Sequence, residues 1–128
     1  MKVAIVTGAS SGIGRGTALE LARRSVGVIL TYGRNAQGGR DTIAAIEELG
    51  GTAVALPLDL GESSTFDAFR ESVAGALRDT FQRDTFDYLV NNAGTSQTAL
   101  IEDTPEELFD RLSRVLLKDI PGVRGVKW

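Results

Sequence analysis

Eight residues near the amino terminus, Thr7-Gly8-Ala9-Ser10-Ser11-Gly12-Ile13-Gly14, have the types and spacing to hold an anion. They follow a short apolar run and precede an amphipathic one, so they form a turn from a strand into a helix. Gly8 permits a tight exit from the strand. Gly12 lacks the side chain that would keep the backbone away from a phosphate, and Gly14 lets the helix lie close on the sheet. The free amides at the helix start, with the positive end of its dipole, then face the anion. Ser10 and Ser11 add hydroxyl donors. An ordinary glycine-serine turn shares this composition; the strand before it and the helix after it are the context that favours phosphate. Two more polar clusters follow apolar runs, Asp59-Leu60 and Asn91-Asn92-Ala93-Gly94. Taken singly, the first also fits an aspartate at a helix start and the second a polar turn.

The elements that must position these residues alternate between short apolar runs and longer amphipathic stretches, the pattern of βαβ units around a parallel sheet. Residues Val3 to Val6 read as a strand buried on both faces. Ile13 to Arg24 has helical spacing, and Val26 to Tyr32 is a second strand rich in β-branched residues. A polar loop through Gly38-Gly39 leads to a helix with Ile43, Ile46 and Leu49 on one face, ended by Gly50-Gly51. Thr52 to Leu58 is a third strand, Ser63 to about Phe81 a third helix, and Phe86 to Val90 a fourth strand. A last helix starts at Thr104-Pro105-Glu106-Glu107, a capping box with proline in the first turn. Ser25 sits where a helix C-cap would favour glycine.

Composition narrows the chemistry. The chain has 128 residues, enough for one domain, and a formal net charge of -3 without a basic block, which argues against nucleic acid as partner. No apolar run approaches the ~20 residues that cross a bilayer, and the first residues do not resemble a signal peptide, so a soluble cytoplasmic protein is expected. There is no cysteine and no histidine. Disulfides, thiolate metal sites, the imidazole base and the Ser-His-Asp triad are excluded together, and no metal is expected.

Three motifs at three successive strand ends make the chain resemble the short-chain dehydrogenase/reductase family: the Thr-Gly-x-x-x-Gly-x-Gly turn, Asp59-Leu60, and Asn91-Asn92-Ala93-Gly94. The resemblance runs to about Lys118. It implies a Rossmann-like open parallel sheet of order 3-2-1-4 with helices on both faces, and a dinucleotide-binding domain over residues 1–118 with a divergent tail at 119–128. It also implies a nicotinamide dinucleotide held by Gly8, Ser10, Ser11, Gly12, Ile13, Gly14, Arg15, Arg34, Asn35, Asp59, Leu60, Asn92, Ala93 and Gly94. Asp59 would accept from the adenine amino group, Leu60 would contact the ring through its backbone, and Asn92, Ala93 and Gly94 would line the nicotinamide ribose. Thr7 and Asn91 would tie neighbouring strand ends together.

Members that use NAD carry an acidic residue after the second strand, where it holds the ribose 2′-hydroxyl. Here that stretch reads Thr31-Tyr32-Gly33-Arg34-Asn35. Arg34, with Arg15 on the same side, suits a 2′-phosphate instead, so NADP is expected over NAD. Both arginines also fit a plain solvated surface.

The family's catalytic tyrosine and lysine, spaced Tyr-x-x-x-Lys, have no counterpart. Tyr32 and Tyr88 are followed four residues on by Ala36 and Asn92, and the family's serine belongs to a fifth strand that is not expected here. Where the last helix would carry an asparagine stands Leu116. No catalytic residue is therefore assigned, and this 128-residue chain is expected to bind NADP without hydride transfer to a carbonyl or alcohol substrate. A shortened or frame-shifted product, a fragment and a natural cofactor-binding or interaction module all fit, the first best. With the sheet ending at the fourth strand, its apolar edge is expected to drive homo-oligomerisation, there or through Leu108, Leu112, Val115 and Leu116.

Overall fold

The computed structural model describes residues 1–59, 62–92, 114, 116 and 126–127. Strand β1 (Val3–Val6) leads to helix α1 (Gly12–Arg23), β2 (Gly27–Tyr32), α2 (Ala36–Glu48) and β3 (Ala53–Pro57). A short 3-10 turn (Ser63–Thr65) opens α3 (Phe66–Ala76), which runs into one π turn (Leu77–Phe81) before β4 (Tyr88–Val90). The strands lie in the order β3-β2-β1-β4, all parallel, with β5 (Val126–Lys127) outside β4.

β1 is central, and its four residues are fully buried, as a strand covered on both faces requires. Alternation sorts the two faces. Val3, Ile5 and Ile29 meet Phe66, Phe69, Val73 and Leu77 of the α3 segment, with Phe86 and Leu89. Val6, Val28 and Leu30 meet Ala18 and Ala22 of α1 and Ile46 of α2. Leu116, helical and fully buried, joins the α3 side. The predicted helix start at Thr104 and the apolar positions Leu108, Leu112 and Val115 lie outside the described residues.

The expected open edge at β4 needs correction. Val126 and Lys127 pair in parallel with Leu89 and Val90, so a fifth strand exists and comes from the stretch read as a divergent tail. An apolar strand with unpaired amides and carbonyls gains from any backbone that can lie beside it, and two residues suffice for a start. Self-association by pairing on this edge of β4 therefore loses its structural basis.

Helix ends repeat one device. After α2, Gly50 takes φ 81 while its amide donates to the Glu47 carbonyl (2.9 Å) and that of Gly51 to Ile46 (3.0 Å). After α1, Ser25 takes φ 64 while it donates to Ala22 (3.0 Å) and Val26 donates to Leu21 (3.0 Å). Both are Schellman caps, and the left-handed position favours glycine. At the amino end of the sheet, the Asp87 carboxylate accepts from the Val3 amide at 2.8 Å and pairs with Arg83, which also donates to the Met1 carbonyl at 3.0 Å. The Arg83 guanidinium, ahead of the Val3 amide, holds the Asp87 carboxyl below the usual aspartate value.

Candidate functional site

Because the strands are parallel, their carboxyl ends open on one side: Thr7-Gly8, Gly33-Arg34, Leu58-Asp59 and Asn91-Asn92. The chain steps from β1 through β2 to β3 in one direction, then places β4 on the other side of β1. That reversal makes the ends of β1 and β4 the topological switch point, the place where open α/β sheets take their ligands.

Hydrogen bonds join the strand ends at this point. The Thr7 amide donates to the Val90 carbonyl at 3.0 Å, and the Asn92 amide donates to Thr7 Oγ1 at 2.9 Å. Asn92 Nδ2 donates to the Gly8 carbonyl at 3.2 Å. On the other flank the Gly8 amide donates to Thr31 Oγ1 at 3.0 Å and the Ala9 amide to the Thr31 carbonyl at 3.0 Å. Thr42 Oγ1 donates to the Ala9 carbonyl at 3.0 Å. Every backbone polar group of Gly8 and Ala9 is thus paired within the protein. Gly8 contributes its left-handed φ of 67 and not a donor for a ligand.

The donors lie further on. Ser11 is the N-cap of α1 but is extended, and its side chain caps no amide. The Arg15 amide makes the first bond of the helix, to Ser11 at 3.3 Å. The amides of Gly12, Ile13 and Gly14 precede it, at the positive end of the helix. Gly12 takes φ 60, and a Cβ there would meet nothing within 4 Å, so the approach is open. Gly14 is buried for a different reason: a Cβ on it would lie 2.5 Å from Asn92 Nδ2 and closer still to the Gly8 carbonyl. Ile13 is 80% exposed at the mouth of the turn. Ser10 and Arg15 are half-buried.

Arg34 and Asp59 are exposed at the ends of β2 and β3, on the same side as the turn. Asn35 has an internal task that its assignment to the cofactor did not include: Oδ1 accepts from the Gly38 amide at 2.9 Å as the N-cap of α2. Helix α2 accordingly begins at Ala36, and Gly38-Gly39, read as loop, are helical. They are needed for contact, since Gly38 packs against the Ser10 carbonyl and Gly39 against the Tyr32 ring. Leu60, Ala93 and Gly94 lie outside the described residues. Asn91 does not tie strand ends as expected; its carboxamide is buried with no hydrogen-bond partner, while Thr7 and Asn92 make the ties. Thr31 and Thr42, almost fully and fully buried, carry no sequence signal of these contacts: Thr31 reads as β-branched filler in an apolar run, and Thr42 follows Arg40-Asp41 in an amphipathic helix.

A tyrosine-lysine pair does occur. Lys2 Nζ donates to the Tyr88 hydroxyl at 3.2 Å and lies 5.7 Å from the ring centre, and this bond raises the lysine pKa. It sits at the amino ends of β1 and β4, the opposite end of the sheet from the glycine turn. Among the described residues no group of acidic side chains, histidines or cysteines is placed to hold a metal, and no helix is long and apolar enough to cross a membrane.

The profile of the short chain dehydrogenase family matches residues 2–119. The chain belongs to the short-chain dehydrogenase/reductase family. Among relatives of this family, a probable oxidoreductase, EphD, of Mycobacterium tuberculosis is 39% identical over 112 residues, covering 88% of this chain and 18% of the relative. The hydroxynaphthalene reductase arp2 of Aspergillus fumigatus is 36% identical over 111 residues, covering 87% of this chain and 38% of the relative. Among solved structures, the promiscuous reductase LugOII, which catalyses a keto-reduction in lugdunomycin biosynthesis, is 38% identical with a TM-score of 0.69, over 72% of this chain and 38% of its own. A variant of actinorhodin polyketide ketoreductase solved with NADPH is 28% identical with a TM-score of 0.70, over 91% of this chain and 46% of its own. The family's fold is therefore present here, in a chain that spans less than half the length of these relatives.

Proposed function

We propose that this chain binds NADP(H) along the carboxyl edge of its sheet. The observation that carries the reading is the start of α1, where the Ser11 side chain caps no amide and the space beside Gly12 is open, while the neighbouring Gly8 and Ala9 groups are all paired inside. A pyrophosphate fits such donors by charge and by geometry. Gly12, Ile13, Gly14, Ser10 and Ser11 would hold it. Asp59 would accept from the adenine, with Leu60 against the ring, and Asn92, Ala93 and Gly94 would line the nicotinamide ribose. Arg34 and Arg15 would meet the 2′-phosphate, and the lack of a carboxylate after β2 favours NADP over NAD. The ketoreductase solved with NADPH supports the same choice. When bound, the nicotinamide supplies hydride chemistry.

On the family's pattern the reaction is carbonyl reduction or alcohol oxidation. This chain's own residues hold the cofactor without moving a proton to substrate: neither Tyr32 nor Tyr88 begins a Tyr-x-x-x-Lys motif, and Tyr88 with Lys2 lies at the far end of the sheet. A carbonyl-reduction assay with NADPH and the purified 128-residue chain tests this. Consumption of NADPH at the background rate is expected, and sustained turnover contradicts it.

A further inference from the structure

We propose that Thr42 is a positioning residue that couples recognition of the 2′-phosphate to recognition of the pyrophosphate; the inference rests on the NADP reading above. Thr42 is fully buried in α2. Its Oγ1 lies 3.0 Å from the Ala9 carbonyl and 2.9 Å from the Gly38 carbonyl of its own helix. One hydroxyl proton serves both acceptors, so the hydroxyl bridges the phosphate turn and the first turn of α2. The fit between the two is tight at the same place. A Cβ on Gly38 would stand 2.5 Å from the Ser10 carbonyl. The first turn of α2 is thus seated directly on the backbone of Ala9 and Ser10.

That first turn carries the other recognition element. Asn35 caps it through the Gly38 amide, and the Gly39 amide returns to the Asn35 carbonyl at 3.2 Å. Arg34 precedes the cap directly. Arg34 lies between the end of β2, where Thr31 bonds the turn, and α2, so its distance to the amides of Gly12 to Gly14 depends also on how α2 sits on the turn, and Thr42 and Gly38 set that seat. NADP, held by both its pyrophosphate and its 2′-phosphate, feels the spacing; a cofactor without the 2′-phosphate does not engage Arg34 in this way.

The test uses the full chain, with NADPH and NADH titrated separately by nicotinamide fluorescence against wild type, Thr42→Val, Thr42→Ser and Gly38→Ala, each with a thermal melt. Thr42→Val keeps the shape but loses the bridge; it should weaken NADPH by about fivefold, the scale of one hydrogen bond, and NADH by less. Thr42→Ser restores the hydroxyl and should restore the selectivity. Gly38→Ala, whose methyl would press on the Asn35 carboxamide and on the Ser10 carbonyl, unseats the same turn by a separate route and should shift selectivity the same way, so the proposal stands or falls even if the valine variant does not fold. Variants that keep the wild-type ratio of NADPH to NADH affinity, with both affinities unchanged or lowered equally, overturn the proposal and leave the cofactor reading intact. A wild type that binds neither nucleotide overturns the cofactor reading and this inference together.

Discussion

Asn92 Nδ2 donates to the Gly8 carbonyl across 3.2 Å, and a Cβ on Gly14 would strike both partners of that bond. The bond joins the end of β4 to the end of β1, so α1, the glycine turn and the β4 end are held as one piece. Gly14 is the position where that piece has no spare room.

Gly14→Ala should therefore destabilise the chain by about 1–3 kcal/mol, the usual cost of forcing extra atoms into a packed site. In an open helix the same change would stabilise by about 1 kcal/mol, so the sign diagnoses the contact. Denaturant unfolding measures the first effect. NADPH titration should show at least a comparable loss of affinity, because the amides move with the helix.

Ser25→Gly should stabilise. Ser25 holds φ 64 in a Schellman cap whose counterpart after α2 already has glycine, Gly50 at φ 81. A side chain in the left-handed region costs roughly 1–2 kcal/mol, partly offset by the greater freedom of glycine when unfolded. A net gain of about 0.5–1 kcal/mol is expected. A thermal melt should rise by a few degrees, and Gly50→Ala should lower it.

Asp87 gives stability a pH dependence. Its folded pKa lies below the ordinary aspartate value, chiefly through Arg83 and also through the Val3 amide. The folded state then holds the carboxylate more tightly than the unfolded chain does. The contribution is complete above the unfolded pKa of about 3.9 and is lost as pH falls through the folded value. Its side chain is 28% exposed, so about 1 kcal/mol is expected after screening. Urea unfolding across pH should show Asp87→Asn weaker than wild type near neutrality by that amount, with the difference closing in acid.

Arg34→Asp should move cofactor preference toward NADH. The substitution removes the cation proposed to meet the 2′-phosphate and supplies a carboxylate for a ribose 2′-hydroxyl. Charge-assisted hydrogen bonds suggest a loss of NADPH affinity of about tenfold or more. Paired titrations with both nucleotides check it, and unchanged selectivity would place Arg34 on plain solvated surface.

Much of this fold is legible because its strongest signals are local. The run Val3–Val6 has no polar residue and becomes the fully buried centre of the sheet, and Gly50-Gly51 ends α2 as their composition indicates. Ser25 could be singled out as a cap in the wrong residue type before its φ was known. What escaped depends on contacts distant in sequence. Gly38-Gly39 have loop propensity, yet they are helical because α2 must approach Ser10 and Tyr32 closely. The helix from Ser63 does not stay α to its end; it passes into a π turn that places Phe81 against Gly27. Val126-Lys127 is too short a run to read as a strand and becomes one through the unpaired side of β4. In the site, the separate tasks of Gly8, Gly12 and Gly14 are visible in sequence from their spacing after a strand. What the sequence does not show is that Thr31, Thr42 and Asn92 take up every backbone polar group of Gly8 and Ala9, because those partners are distant along the chain.

The central claim is that those amides and Arg34 together hold NADP(H). Equilibrium titration of the 128-residue chain with NADPH and with NADH, read by nicotinamide fluorescence, tests it most directly. Saturable binding with NADPH tighter than NADH is the predicted result; no saturable binding of NADPH, or NADH bound as tightly or more tightly, contradicts it.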